Sequence, residues 1–114
     1  MDCGVISVNM CSIYGTVYND PLTSKDETNG EIVECSYLLL CADGEYSEMI
    51  PIHSYGRVAQ FVSQNIKSGM RVAVTGRLKS RKTQNNGYKL MVIAQKNEFD
   101  DGRNNEVDTI LPLG

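Results

Sequence analysis

One internal stretch, Gly56 to Gly69, carries its apolar residues at helical spacing in a chain that otherwise alternates. Val58, Ala59, Phe61, Val62 and Ile66 form one stripe, and Gly69 stands where a helix-terminating glycine belongs. The segments on both sides alternate with a period of two, which is the signature of strands half-buried on a sheet. A chain of 114 residues supports one modest core. A single short helix inserted between strands therefore restricts the chain to a small all-β architecture with one helical plug.

The strands divide at turn signals. Val5 to Tyr18 reads as the first, with a change of apolar parity near Met10 and Cys11 that predicts a bulge and Gly15 predicting a sharp bend. Asn19-Asp20-Pro21 ends it, and the polar Thr23 to Gly30, with Asn29-Gly30 as a turn, reads as a loop or flexible hairpin tip. Glu31 to Ala42 and Tyr46 to Ser54 are the second and third strands, joined by a tight Asp43-Gly44 turn, with Pro51 putting the third at an edge or bulge. After the helix, Met70 to Arg81 turns Val72, Val74, Gly76 and Leu78 inward and Arg71, Ala73, Thr75, Arg77 and Lys79 outward. Gln84 to Gly87 is a hairpin tip, and Tyr88 to Phe99 is the fifth strand. Three strands, a helix and two strands is the order of the OB-fold, a five-stranded Greek-key barrel with one helix between strands three and four. Residues 1–99 form that domain, and 100–114 read as a short acidic C-terminal tail.

The charges are segregated. Arg57, Lys67, Arg71, Arg77, Lys79, Arg81, Lys82, Lys89 and Lys96 fall in a span from Arg57 to Asn97 that contains no acid, whereas in residues 1–56 Lys25 stands alone against nine Asp and Glu. The net charge of -3 thus does not exclude a polyanionic ligand, which responds to the local field of a groove. Alternation sets Arg71, Arg77, Lys79 and Arg81 on one face, with Lys82 at the hairpin and Lys89 across from them: a ribbon of phosphate-tracking cations. A solvated barrel exterior would also carry Lys and Arg; the missing acids favour binding. Tyr88 beside the hairpin is a candidate platform for a base. Tyr37 is another, although both faces of its strand are apolar and parity leaves its exposure open. Tyr14 and Tyr18 fit a subunit interface equally well, and Phe61 and Phe99 fit the core.

Catalytic and metal chemistry find little support. The four cysteines, at 3, 11, 35 and 41, lack paired spacing, and His53 is alone, so no metal site and no cofactor are expected. Reduced, buried thiols are the expected state, with disulfides disfavoured in a reducing compartment. No phosphate loop or carboxylate cluster accompanies the basic half, so no enzyme is expected. No apolar run spans a membrane and no secretory leader is visible at Met1 to Gly4, which predicts a cytoplasmic protein.

From Ile52 to Leu78 the chain resembles the bacterial single-stranded DNA-binding protein family. The resemblance is carried by Tyr55-Gly56-Arg57, Ala59, Gly69, Val72, Val74, Gly76, Arg77 and Leu78, and Arg81-Lys82 continues it into the family's basic hairpin. Gly15, Asp20-Pro21 and Asn29-Gly30 fall at comparable turns, so the likeness covers roughly residues 5–97. It implies that Tyr55 stacks on bases beside Arg57, that single-stranded DNA is the ligand, and that the chain forms a homo-oligomer, a tetramer or a dimer. There are departures: no Trp anywhere, Thr83 where a Trp is common, a short hairpin at Asp43-Gly44, and an ending of Asp108 to Gly114 in place of a long linker and an acidic tip closed by Phe. Recruitment of replication or repair proteins through that ending is correspondingly in question.

The reading that follows is a non-enzymatic protein that binds single-stranded DNA with little sequence preference, in DNA replication, recombination or repair. Without Trp, binding should lean on charge, with a steep salt dependence and a mild loss on Tyr55→Ala. The alternatives are an OB-fold protein-interaction module of the primosomal type and a binder of single-stranded RNA.

Overall fold

The computed structural model describes residues 7–99. Its elements are β1 (Cys11–Val17), β2 (Leu22–Lys25), β3 (Ile32–Asp43), β4 (Tyr46–Tyr55), α1 (Gly56–Asn65), β5 (Arg71–Lys82) and β6 (Tyr88–Phe99). The strand order is β1-β5-β6-β4-β3-β2, and β1 returns to pair with β3 at Thr16↔Leu40 and Val17↔Leu39. That return closes five strands into a barrel, and the helix lies between β4 and β5. This is the OB-fold.

The sixth strand, β2, takes Thr23 to Lys25 out of the stretch read as a loop or hairpin tip, while Asp26 to Gly30 do form the tip of the β2–β3 hairpin, with Asp26 N–H donating to Glu31 O. Tyr18 N–H still donates to Leu38 O, and beyond Pro21 the chain regains the same edge of β3, with Leu22 facing Ser36 and Ser24 facing Glu34. All four β2 residues are exposed, so no buried face imposed an alternation that could be read. The first strand also starts later than expected, at Cys11; Val5 and Ile6 lie outside the described residues. No bulge falls at Met10–Cys11. Instead Asn9 substitutes its side-chain amide for backbone, donating from Nδ2 to Leu78 O and accepting from Leu78 N–H, both at 2.8 Å.

The irregularity that curls the sheet lies between β5 and β6. Thr75 pairs with Lys96 and Gly76 with Ala94, leaving Gln95 as an extra residue. At this point a Cβ on Gly76 would sit 2.1 Å from Ile93 O. Gly15, at the turn of β1 onto β3, is equally constrained, since a Cβ there would lie 2.4 Å from Leu40 O. The backbones touch because these residues have no side chain.

Helix α1 ends at Asn65, four residues before Gly69. Gly69, at φ +90°, instead serves the turn into β5, and its N–H donates to Val17 O at 2.8 Å. Ala59, Val62 and Ile66 from the helix side meet Val17, Cys35, Leu39, Ile52, Val72, Val74 and Val92 in the core. The described thiols are free: Cys35 is buried, whereas Cys11 and Cys41 are half-buried. Burial pushes the Cys35 and Cys41 thiols up.

Tyr37 belongs to that core, 3% exposed, with its hydroxyl donating to Asn97 Oδ1 at 2.7 Å. Desolvation pushes this hydroxyl well above its ordinary range, so it stays protonated and donates. Tyr37→Phe is expected to remove the one bond of the Asn97 side chain and cost about 1–3 kcal/mol. Thermal unfolding of the variant should show a Tm lowered by at least about 4 °C.

Pro51 is accommodated as an edge residue. β4 meets β6 only at Ile52↔Val92 and His53↔Ile93, in parallel, so the Tyr46–Pro51 half of β4 has no partner on that side. The barrel thus closes between β4 and β6 through a seam of two residue pairs, beyond which the Tyr46–Pro51 half of β4 diverges from β6.

Candidate nucleic-acid interface

The register of the β5–β6 hairpin decides which cations act together. Arg77 faces Ile93, Lys79 faces Met91 and Arg81 faces Lys89, so all four cations, Arg77, Lys79, Arg81 and Lys89, lie on the outward face. Period-two alternation repeats same-face side chains about every 6.6 Å, making a regular ribbon of charge. All four are exposed. Among the described residues the ion pairs are His53–Glu34 and Lys96–Glu98, and neither takes a member of this ribbon.

The ribbon continues sideways across the sheet. Arg77 faces Ile93, Ile93 faces His53 and His53 faces Ser36, giving one rank over β5, β6, β4 and β3. Tyr55 lies one pleat further along β4 from His53, on the same face and 43% exposed. It is also the N-cap of α1, so Arg57 in the first turn follows directly. The sequence polarity becomes spatial: bases occupy β5 and β6, while Glu34 opposite Tyr55 and Glu48 belong to β3 and β4. His53 Nδ1 lies 3.5 Å from Glu34 Oε2 on the acidic side of the rank.

The other candidates separate. Lys82 and Tyr88 form a cross-strand pair on the opposite face of the hairpin, with Tyr88 68% exposed. Arg71 shares the outward parity of the ribbon, but it faces Thr16 of β1 and stands six residues, about 20 Å of strand, from Arg77. Tyr37 offers no ring face to a base, because the inward side of β3 is the core side. Both faces of β3 are apolar, so alternation could not decide between them.

Sequence reading missed Met49, Leu78 and Leu90, all exposed apolar residues. With Ile50, Pro51, Met91, Val92 and Glu48, they line a groove of about 290 Å³ where β4 and β6 diverge. Leu78 and Leu90 have ordinary core parity, and the divergence of β4 from β6 leaves them uncovered, whereas Met49 shares the outward parity of His53. Phe61, which lines a second cleft with Lys96, carries no binding signal in the sequence. Among the described residues no group of His, Cys, Asp and Glu could hold a metal ion, and no helix is long and apolar enough to cross a membrane.

Five strands closed into a barrel with one helix make an OB-fold, and its outward face carries exposed cations with no ion pair among the described residues. The chain matches the model of the single-strand binding protein family over residues 8–100, the whole of the barrel, and it belongs to that family. No individual curated protein matches the chain.

Proposed function

We propose that the chain binds single-stranded DNA with little sequence preference and shields it during replication, recombination or repair. The observation that carries this reading is the outward rank from Arg77 through Ile93 and His53 to the pleat of Tyr55, flanked by Lys79, Arg81 and Lys89. Cations follow phosphates without reading sequence, and a ring accepts any base. The role is binding rather than catalysis. Nuclease protection tests it: saturating protein should shield a thymidine oligonucleotide of about 35 nucleotides from a single-strand-specific nuclease. Unprotected DNA at saturation would count against shielding. A uridine oligonucleotide in parallel separates DNA from RNA preference.

Tyr55→Ala is expected to weaken binding roughly five- to tenfold, the low end of the ~1–3 kcal/mol per stacked base. Tyr88→Ala is the comparison, and an unchanged affinity for Tyr55→Ala would move the principal platform to the hairpin.

Homo-oligomerisation, as a dimer or tetramer, is supported by the exposed Val8, Met10 and Tyr14 at and ahead of β1. Light scattering of the purified chain measures it directly. The groove of Met49, Leu78 and Leu90 favours a second reading, a protein-interaction module, for which apolar surface is the main resource. The segment 100–114 lies outside the described residues.

A further inference from the structure

The outward face of the sheet is not purely basic. Glu34 of β3 pairs directly with Tyr55 of β4, and side chains so paired stand about 5 Å apart at Cβ. The next outward pair is Ser36 with His53, so Glu34 and His53 are diagonal neighbours on one face. Glu34 Oε2 lies 3.5 Å from His53 Nδ1, so the carboxylate leans from its place opposite Tyr55 toward the imidazole. No hydrogen bond joins the two, because His53 Nδ1 is buried without a hydrogen-bond partner. The Glu34 side chain is 39% exposed, and Tyr55 is 43% exposed. An accessible carboxylate thus keeps acceptor capacity beside an accessible ring.

A carboxylate and a phosphate repel each other. Phosphates of a bound strand are drawn to Arg77, Lys79, Arg81 and Lys89 on β5 and β6. Glu34 repels them from β3, which lies three strand spacings, about 14 Å, from β5 in the order β5-β6-β4-β3. That polarity turns the bases toward Tyr55 and Glu34. We propose that Glu34 selects the base held on Tyr55 by accepting a hydrogen bond from its exocyclic amino group. The inference rests on the single-strand reading and adds a preference at one position of an otherwise sequence-tolerant surface. Cytosine, adenine and guanine each carry an amino donor. Thymine instead flanks its one ring N–H with two carbonyl oxygens, which repel a carboxylate. A carboxylate accepting from cytosine N4 is also the pairing that reads this base in duplex DNA.

Competition anisotropy tests this with cytidine and thymidine oligodeoxynucleotides of about 35 nucleotides, two pyrimidine strands with rings of equal size. The cytidine strand should bind about three- to tenfold more tightly, the effect of one hydrogen bond to a charged but partly solvated group. Glu34→Gln should bring the two affinities together, because an amide offers an acceptor to cytosine and a donor to thymine alike. A folding defect would lower both affinities and leave their ratio alone, so the ratio reports the contact itself. Equal binding of both strands by the wild-type chain would overturn the selection and leave the single-strand reading standing. A preference that persists in Glu34→Gln would remove Glu34 from the role. Tyr55→Ala should also abolish the ratio, and its survival there would show that the selected base does not lie on Tyr55. Failure of both strands to bind at low salt would defeat the single-strand reading itself.

Discussion

Replacing Arg77, Lys79, Arg81 and Lys89 together by alanine is expected to lower affinity for an oligonucleotide about a hundredfold or more at low salt. Removing each phosphate-neutralising cation should also flatten the slope of log K against log salt by about 0.7, or roughly 3 for the four. The slope is the more telling readout, because it counts released counterions and is insensitive to a partly inactive preparation. All four side chains are exposed and none of them is in an ion pair among the described residues, so the melting temperature should hardly change. A variant with weakened binding but an unchanged slope would mean that the four cations do not touch phosphate. Arg71→Ala is the natural comparison: it has the same parity on β5 but lies beside β1, and it should alter the slope little.

The largest stability effect is expected at Gly76. A methyl group there would meet Ile93 O at 2.1 Å, well inside van der Waals distance, and the obstacle is backbone. To accept Gly76→Ala the β5–β6 pair must separate where the bulge bends the barrel. The expected cost is about 3–5 kcal/mol, a large share of the ~5–15 kcal/mol stability of a typical domain. Gly30→Ala supplies a contrast. Gly30 has φ +74° and open space around it, so it should cost only about 1 kcal/mol of backbone strain. Urea unfolding of both variants measures the difference. Equal and small losses would show that β5 and β6 can part at Gly76 without consequence.

These two expectations mark where the sequence is informative. Gly76 and Gly15 interrupt otherwise apolar positions of two strands, and a glycine in that setting signals close backbone approach. The helix is legible because Ala59, Val62 and Ile66 share a buried stripe, although its end is not: Ile66 is apolar and buried but already extended. The ribbon is legible because Arg77, Lys79 and Arg81 keep one parity through an unbroken β5. The extra residue at the bulge falls on β6, at Gln95, where the sequence carries no charge pattern.

What escapes does so for physical reasons. β2 has no buried face, so Leu22 to Lys25 shows no periodicity. Tyr37 sits on a strand whose two faces are both apolar, and only closure of β1 onto β3 tells inside from outside. The exposure of Leu78 and Leu90 follows from a β4–β6 seam of two residues, a tertiary fact with no local signature. The start of α1 is visible in its Tyr-Gly-Arg motif, but its cleft depends on Lys96 and Asn97, which arrive from about 40 residues away.

The measurement closest to the central claim is fluorescence anisotropy of a labelled thymidine oligonucleotide of about 35 nucleotides, at low and moderate salt, against a duplex of the same length. The account predicts tight binding of the single strand, a steep loss of affinity as salt rises, and weak binding of the duplex. No binding of the single strand at low salt, or equal binding of strand and duplex, would contradict it.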